Sequence, residues 1–293
     1  MQYGESDLAF ISRLLAEVGI WYRFTNDERL GIAVVEFHDD QRHYVRPRIS
    51  LPYRPQSGLG SSGADGVWGL QSSHGVVEKN VHFRAYHHRD ASAWLDGDVD
   101  QTRGDTTTYG EAYHYAEPYK ELGDKLDQDE DLLGESGFFY GRLRHERYLN
   151  DQTRLSGISS SATLGLAQVL QTSGGAPQAF EPGAVITALR LRAARDRSFE
   201  LSFEAIPYSE SVCFRPPLLT KPEIAGTVPA RVTSSLANDP YSHIDSEGRY
   251  KVSFLFDRDS WKLGEESLWL RLARPYAGDT HGLHLPLICG TEV

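Results

Sequence analysis

His74, His82, His87, His88 and Asp90 fall within 17 residues, and imidazole with carboxylate is the commonest metal-binding chemistry in proteins. The spacing does not gather them. Neighbours such as His87 and His88 on an extended chain point to opposite faces, and the sequence contains neither HExxH nor a helical i, i+4 pair of histidines. They read as scattered surface histidines, and no metal site is predicted. The 41 acids guarantee many carboxylate pairs, so pairing alone does not single out a glycosidase cleft. No GxSxG, no GxxxxGK[ST] and no strand-preceded GxGxxG is present, which removes the usual marks of a serine hydrolase, a P-loop enzyme and a dinucleotide enzyme. Gly58, Gly60 and Gly63 lie in a Ser-rich stretch and read as flexible linker, not a phosphate cradle. Cys213 and Cys289 are the only cysteines, too few for a disulfide framework or a zinc spacing. Both read as buried or idle thiols. No catalytic residue, cofactor or metal is predicted.

The elements that would carry any chemistry begin with a helix. Leu8, Phe10, Ile11, Leu14, Leu15 and Val18 recur at spacings of three and four, which places them on one stripe. Ser6 is the expected N-cap, Asp7 suits the first turn, and Gly19 suits a left-handed stop. Residues 20–24 and 31–37 flank a polar turn, so a hairpin follows the helix. Residues 46–75, with three prolines and many Gly and Ser around Trp68, read as an exposed loop. Residues 80–86 alternate, with Val81, Phe83 and Ala85 on one face and His82 and Arg84 on the other, as in a half-buried strand.

From 119 to 135 the acids outnumber the bases by seven to two, a solvated acidic stretch. Residues 135–150 predict a second helix with Phe138, Phe139, Leu143 and Tyr148 as core, although Gly137 and Gly141 weaken it. Residues 185–193 and 198–206 predict an antiparallel hairpin. Three prolines between 216 and 222 then mark a connection, with a boundary near 218. Beyond it, short strands are predicted at 223–232, 250–256, 268–273 and 283–288, the pattern of a small barrel. A barrel begun at Pro222 would be unclosed at Val293, and the exposed edge suggests a piece of something longer.

Composition sets the outer limits. With 293 residues, 40% hydrophobic and 24% charged, the chain is a folded protein with room for about two domains. A formal net charge of −11 repels phosphate backbones, so nucleic acid is not an expected partner. No apolar run approaches the length of a membrane span, and the polar N-terminus does not resemble a secretory signal.

Three stretches together resemble the VgrG family, the spike proteins of the bacterial type VI secretion system. QYGESDLAFISRLLAEVGIWYRF at 2–24 resembles its helix-and-strand signature. SFELSFEAIP at 198–207 with FRPP at 214–217 resembles the end of its hub region. DSEGRYKVSFLFDRDS at 245–260, SLWLRLARPYAG at 267–278 and GLHLPLICGTEV at 282–293 resemble the first strands of its oligonucleotide-binding-like (OB-fold) barrel.

The resemblance implies a mainly β chain with an α+β part. Residues 1–217 would form the C-terminal part of a phage-tail-hub-like β-barrel region, and 218–293 the start of a truncated OB-fold-like domain. It implies a non-enzymatic homotrimer at the puncturing tip, seated on the Hcp tube, capped by a PAAR-repeat protein and carrying effectors. Such a protein is made in the bacterial cytoplasm and secreted by the type VI apparatus without a signal peptide. Trp21, Trp68, Trp261 and Trp269 are candidates for subunit contacts or for monomer cores. The alternatives are an effector- or hydrolase-bearing spike, and a carbohydrate- or nucleic-acid-binding module built on the terminal barrel.

Overall fold

A computed structural model describes the chain except residues 1, 28, 55–62, 88–91, 103, 105, 116–118, 120, 122–134 and 279 and the side chain of residue 197. The chain divides into two compact units, Met1–Lys221 and Pro222–Val293.

In the first unit, helix α1 spans Asp7–Glu17, and Ser6 Oγ accepts the Ala9 N–H as the predicted cap. Gly19 ends it in the left-handed region at φ 75°, where a glycine carries no Cβ penalty. The hairpin follows as β1 (Trp21–Asp27) and β2 (Ile32–His38), paired antiparallel from Trp21↔His38 to Asp27↔Ile32.

Residues 46–75 are not the predicted loop. They hold β3 (Val45–Pro52) and β4 (Val67–His74), the two edge strands of a six-stranded sheet. Alternation is weak there because both strands are edges with mostly solvated side chains; only Leu51 and Val67 are buried in the core. The Gly58 and Gly60 part of the Ser-rich stretch lies outside the described residues, as do His88, Asp90 and most of the acidic stretch.

Next come β5 (Asn80–Ala85), β6 (Leu95–Val99) and β7 (Glu111–Tyr115), a three-stranded sheet in the order β6-β5-β7. Val81, Phe83 and Ala85 face inward as their alternation predicts. Helix α2 (Gly137–Gln152), capped by Ser136, packs on that inner face. The Phe138 ring meets Phe83 edge-on at 5.4 Å between centroids. Gly141, which costs the helix propensity, is needed here: a Cβ at this position would lie 2.6 Å from Phe83 Cδ1.

The six-stranded sheet is completed by β8 (Thr153–Ser159), β9 (Gln168–Ser173), β10 (Ala184–Ala194) and β11 (Arg197–Pro207), in the order β3-β9-β10-β11-β8-β4. All neighbours are antiparallel except β3 with β9. The predicted hairpin is β10–β11, closed by the Ala194↔Arg197 pair. The sheet curls until its edges meet, through a Tyr53↔Val67 bridge and an Arg54 N–H donating to the Val67 carbonyl at 2.8 Å. Leu155, Leu170, Ile186, Leu201 and Phe203 fill its interior. At one end, Trp21, Tyr44 and Cys213 pack against Val169, Val185 and Ile206.

The second unit holds two short strands, β12 (Ala230–Val232) and β13 (Val252–Phe254), paired antiparallel. Elsewhere the predicted strands are reduced to isolated bridges such as Tyr250↔Leu270 and Tyr241↔Ile288. Its buried hydrophobics are Ala230, Val232, Tyr250 and Val252, while Tyr241, Trp261, Leu268 and Leu285 among others stand exposed. A unit of this size with so little core is the kind that needs other support.

Together the chain is mainly β with an α+β part: a curled, barrel-like sheet, then a small incompletely paired β unit.

Candidate functional site

The histidines do not converge. His74 is exposed and bonds Thr153 Oγ1 at 3.0 Å, while His87 is half-buried two residues past the end of β5. His82 is the centre of a local charge cluster on the outer face of the three-stranded sheet. Its Nδ1 lies 2.9 Å from Asp98 Oδ1 and its Nε2 3.5 Å from Asp96 Oδ2, with Arg84 also on Asp96 at 3.1 Å. The ring stacks on Tyr113 at 5.5 Å. The Asp98 hydrogen bond, together with the charges of Asp98, Asp96 and Glu111, holds the His82 imidazole above its ordinary range. His82, Asp98 and Glu111 could reach one metal ion, but Asp98 and Glu111 are exposed and both His82 nitrogens face carboxylates. The arrangement works as a surface ion-pair network.

Three described furrows on the first unit offer no converging chemistry. One of about 600 Å³ is lined by Gln71, Ser73, Arg154, Thr187, Glu204 and Phe214. None of the three is lined by a histidine or cysteine. Cys213 is fully buried beside Tyr44, and burial pushes its thiol up to about 11, so it is inert at neutral pH. Cys289 is half-buried.

The feature that stands out is a polarity inversion over residues 7–38. On α1 the residues turned inward are Arg13 and Ala16, whereas Leu8, Ile11 and Leu14 of the apolar stripe are 61%, 49% and 41% exposed. Arg13 is held by Glu5 at 2.8 Å and lies 5.4 Å from the Phe10 ring centroid.

The hairpin repeats the pattern through its period of two. Trp21, Arg23, Glu36 and His38 share the face toward the curled sheet, with Arg23 paired to Glu36 and reaching the Leu166 carbonyl. Phe24, Val35 and Phe37 share the outer face and are 67%, 39% and 55% exposed. Tyr22 joins the two elements: its ring lies 6.0 Å from Phe24 and 6.1 Å from Phe37, and its hydroxyl is 3.0 Å from Ser12 Oγ on α1.

A network under this segment fixes it to the rest of the unit. Arg147, on α2, donates to the Ala16 and Pro216 carbonyls. Arg215 pairs with fully buried Glu146 and donates to the Gly19 and Asp39 carbonyls at 2.9 and 2.6 Å. Asn150 accepts the Arg215 N–H at 2.7 Å. The outward apolar residues are therefore rigidly presented.

Of the four tryptophans read as contact candidates, Trp21 is core, Trp68 and Trp269 are half-buried, and Trp261 is 53% exposed. Sequence reasoning passed over the phenylalanines. The available signal was a strand with apolar residues on one face and an Arg23–Glu36 pair on the other.

The curled six-stranded sheet, with a helix-backed three-stranded sheet inserted between its strands, is shared with a tail-like protein of solved structure. An Escherichia coli protein of solved structure, described as a component of the type VI secretion system with structural similarity to the T4 bacteriophage tail proteins gp27 and gp5, matches 100% of this chain and 56% of its own. The TM-score is 0.62 at 38% identity. Residues 1–197 match the phage tail baseplate hub (GPD) family, and the chain belongs to that family. Its curated relatives are type VI secretion system spike proteins, as the VgrG resemblance implies. Pseudomonas aeruginosa VgrG4b is 27% identical over 304 residues, 96% of this chain and 35% of that protein. VgrG5 of the same organism is 27% identical over 313 residues, 96% of this chain and 36% of that protein. The chain thus spans little more than a third of these relatives' length.

Proposed function

We propose that the chain is a structural part of a type VI secretion spike: a homotrimer on the end of the Hcp tube that pierces target envelopes and carries effectors. Residues 1–217 would be the C-terminal part of the hub and 218–293 the start of the OB-fold-like domain above it. A PAAR-repeat protein would cap the finished tip, and the apparatus itself would export it from the cytoplasm. Among the described residues no helix is long and apolar enough to cross a membrane.

The observation that carries this reading is the polarity inversion of residues 7–38 on a hub-family fold. A monomer that buries Arg13 and half-buries Arg23 while leaving Phe24 and Phe37 in water is organised for assembly. A piercing tip needs stiffness and no reactive pocket. The antiparallel ladders of β8, β10 and β11 fit that demand. The test is secretion: deleting the gene in its source bacterium should abolish release of the tube protein into the medium, and the intact gene should restore it. Undiminished release of the tube protein from a deletion strain lacking other spike genes would count against the reading.

A further inference from the structure

We propose that the fully buried His145 is an acid-operated latch: on taking up a proton it releases the corner at residues 100–102 from α2 and widens the furrow between the inserted three-stranded sheet and the curled sheet. The device belongs to the first unit alone and is independent of the spike reading.

His145 lies within α2 and ties it to the chain on both sides of the three-stranded sheet. Its Nδ1 accepts the Gln101 N–H at 2.9 Å, two residues past the end of β6. Its Nε2 lies 3.3 Å from the Glu78 carbonyl oxygen, two residues before β5. A neutral imidazole has one acceptor nitrogen and one donor, and these two contacts use both.

A second proton can go only to Nδ1. There it sets N–H against N–H at 2.9 Å, because an imidazolium has two donors and no acceptor. The Gln101 amide must then give way. A replacement acceptor stands in the same residue, since Gln101 Oε1 is buried without a hydrogen-bond partner. Moving the backbone amide out and the side-chain oxygen in satisfies both the new Nδ1–H and the orphan oxygen. The corner thus has two hydrogen-bonded arrangements, which is what a switch requires.

The surrounding charges set where the change falls. Asp100, on the corner itself, favours the imidazolium by its charge, as does Glu146 beside His145 on α2. Glu146 is already matched by Arg142 at 3.3 Å and by Arg215, which leaves Asp100 as the counter-charge to a protonated ring. Lys79, at the entry to β5, acts on Asp100, and Glu78 meets the ring through its backbone carbonyl. Burial outweighs the carboxylates and holds the ring below the ordinary imidazole value of about 6.5. The latch is therefore closed at neutral pH and opens in acid.

Opening has a defined place. A furrow of about 260 Å³ is lined by Gln101 and Thr102 from the corner, by Tyr208 and Ser211 from the chain after β11, and by Asn150 and Thr153 where α2 runs into β8. Release of the corner widens it.

The test is hydrogen exchange of the full chain, read by mass spectrometry in steps from about pH 7.5 to about pH 4.5 and expressed as protection factors, so that the intrinsic pH dependence of exchange cancels. Acid should lower the protection of the Gln101 and Thr102 amides at least about tenfold, while β11 around Phe203 keeps its protection. His145→Gln, checked for folding by circular dichroism, should show no such loss, because its side-chain oxygen accepts the Gln101 N–H at any pH. Asp100→Asn should move the midpoint of the loss to lower pH, since the ring then lacks its counter-charge; a purely packing role for His145 would leave that midpoint unmoved. Unchanged protection across the whole range, an equal loss in His145→Gln, a loss that spreads evenly through β11, or an unmoved midpoint in Asp100→Asn would overturn the latch.

Discussion

Arg215 Nη1 lies 2.9 Å from the carbonyl oxygen of Gly19, across 196 residues of sequence. The last strand-free stretch of the first unit thereby ties down the joint between α1 and β1. The same guanidinium pairs with Glu146, whose side chain is fully buried. Removing Arg215 leaves that buried carboxylate with only Arg142, 3.3 Å away, as a charge partner, and frees the Gly19 and Asp39 carbonyls. Arg215→Met should destabilise the first unit by about 3–5 kcal/mol and expose residues 20–40 to proteolysis. The Arg215→Met, Glu146→Leu double variant should regain part of that loss. Urea unfolding and limited proteolysis measure both.

Packing at Phe83 gives a second expectation. A Cβ on Gly141 would fall 2.6 Å from Phe83 Cδ1, and one on Gly97 2.7 Å from Phe83 Cζ. Alanine is the better helix former by about 1 kcal/mol, yet overpacking a closed core costs about 1–3 kcal/mol. Gly141→Ala should therefore lower the unfolding midpoint. An unchanged or raised midpoint would show that the ring has room to move.

The thiols should differ in reactivity. Cys213 is buried and its thiol is pushed up to about 11 by desolvation, so almost no thiolate exists at pH 8. Ellman's reagent should titrate one thiol per native chain, Cys289, and two after unfolding in guanidinium. Rapid modification of Cys213 in the native protein would contradict the buried packing with Tyr44.

Two histidines should pull stability in opposite directions with pH. His82 is raised by its hydrogen bond to Asp98. Its contribution is full below the unfolded value of about 6.5 and is lost as pH rises through the raised folded value. His145 is lowered by burial; its Nδ1 accepts the Gln101 N–H at 2.9 Å, so it is held neutral. That contribution is present above about pH 6.5 and is lost as pH falls through the lowered folded value. Stability curves between pH 5 and 8 should show that His82→Gln removes the loss on the alkaline side. His145→Gln should soften the loss on the acid side.

The elements with regular periodicity were legible from sequence, because burial on one face imposes it. α1 with its Ser6 cap, β5 and the β10–β11 hairpin lie where their patterns predict. β3 and β4 were not legible: as sheet edges they bury little, and their Pro and Gly content imitates a loop. In the second unit two of the four predicted strands, 268–273 and 283–288, are reduced to isolated bridges, since its aliphatic runs have almost no core to face. The α1 stripe was visible, but not that its Leu8, Ile11 and Leu14 face outward while Phe10, Leu15 and Val18 are half-buried, because periodicity marks a shared face without saying what covers it. Phe24 and Phe37 were missed for the same reason.

The central claim is that this chain works as one of three in a symmetric hub. Electron cryomicroscopy of the purified protein tests it most directly. The account predicts particles with threefold symmetry, three copies of the curled sheet around an axis, and residues 7–38 buried between neighbours. Single-subunit particles of 32.8 kDa, with Phe24 and Phe37 facing solvent at every concentration, would contradict it.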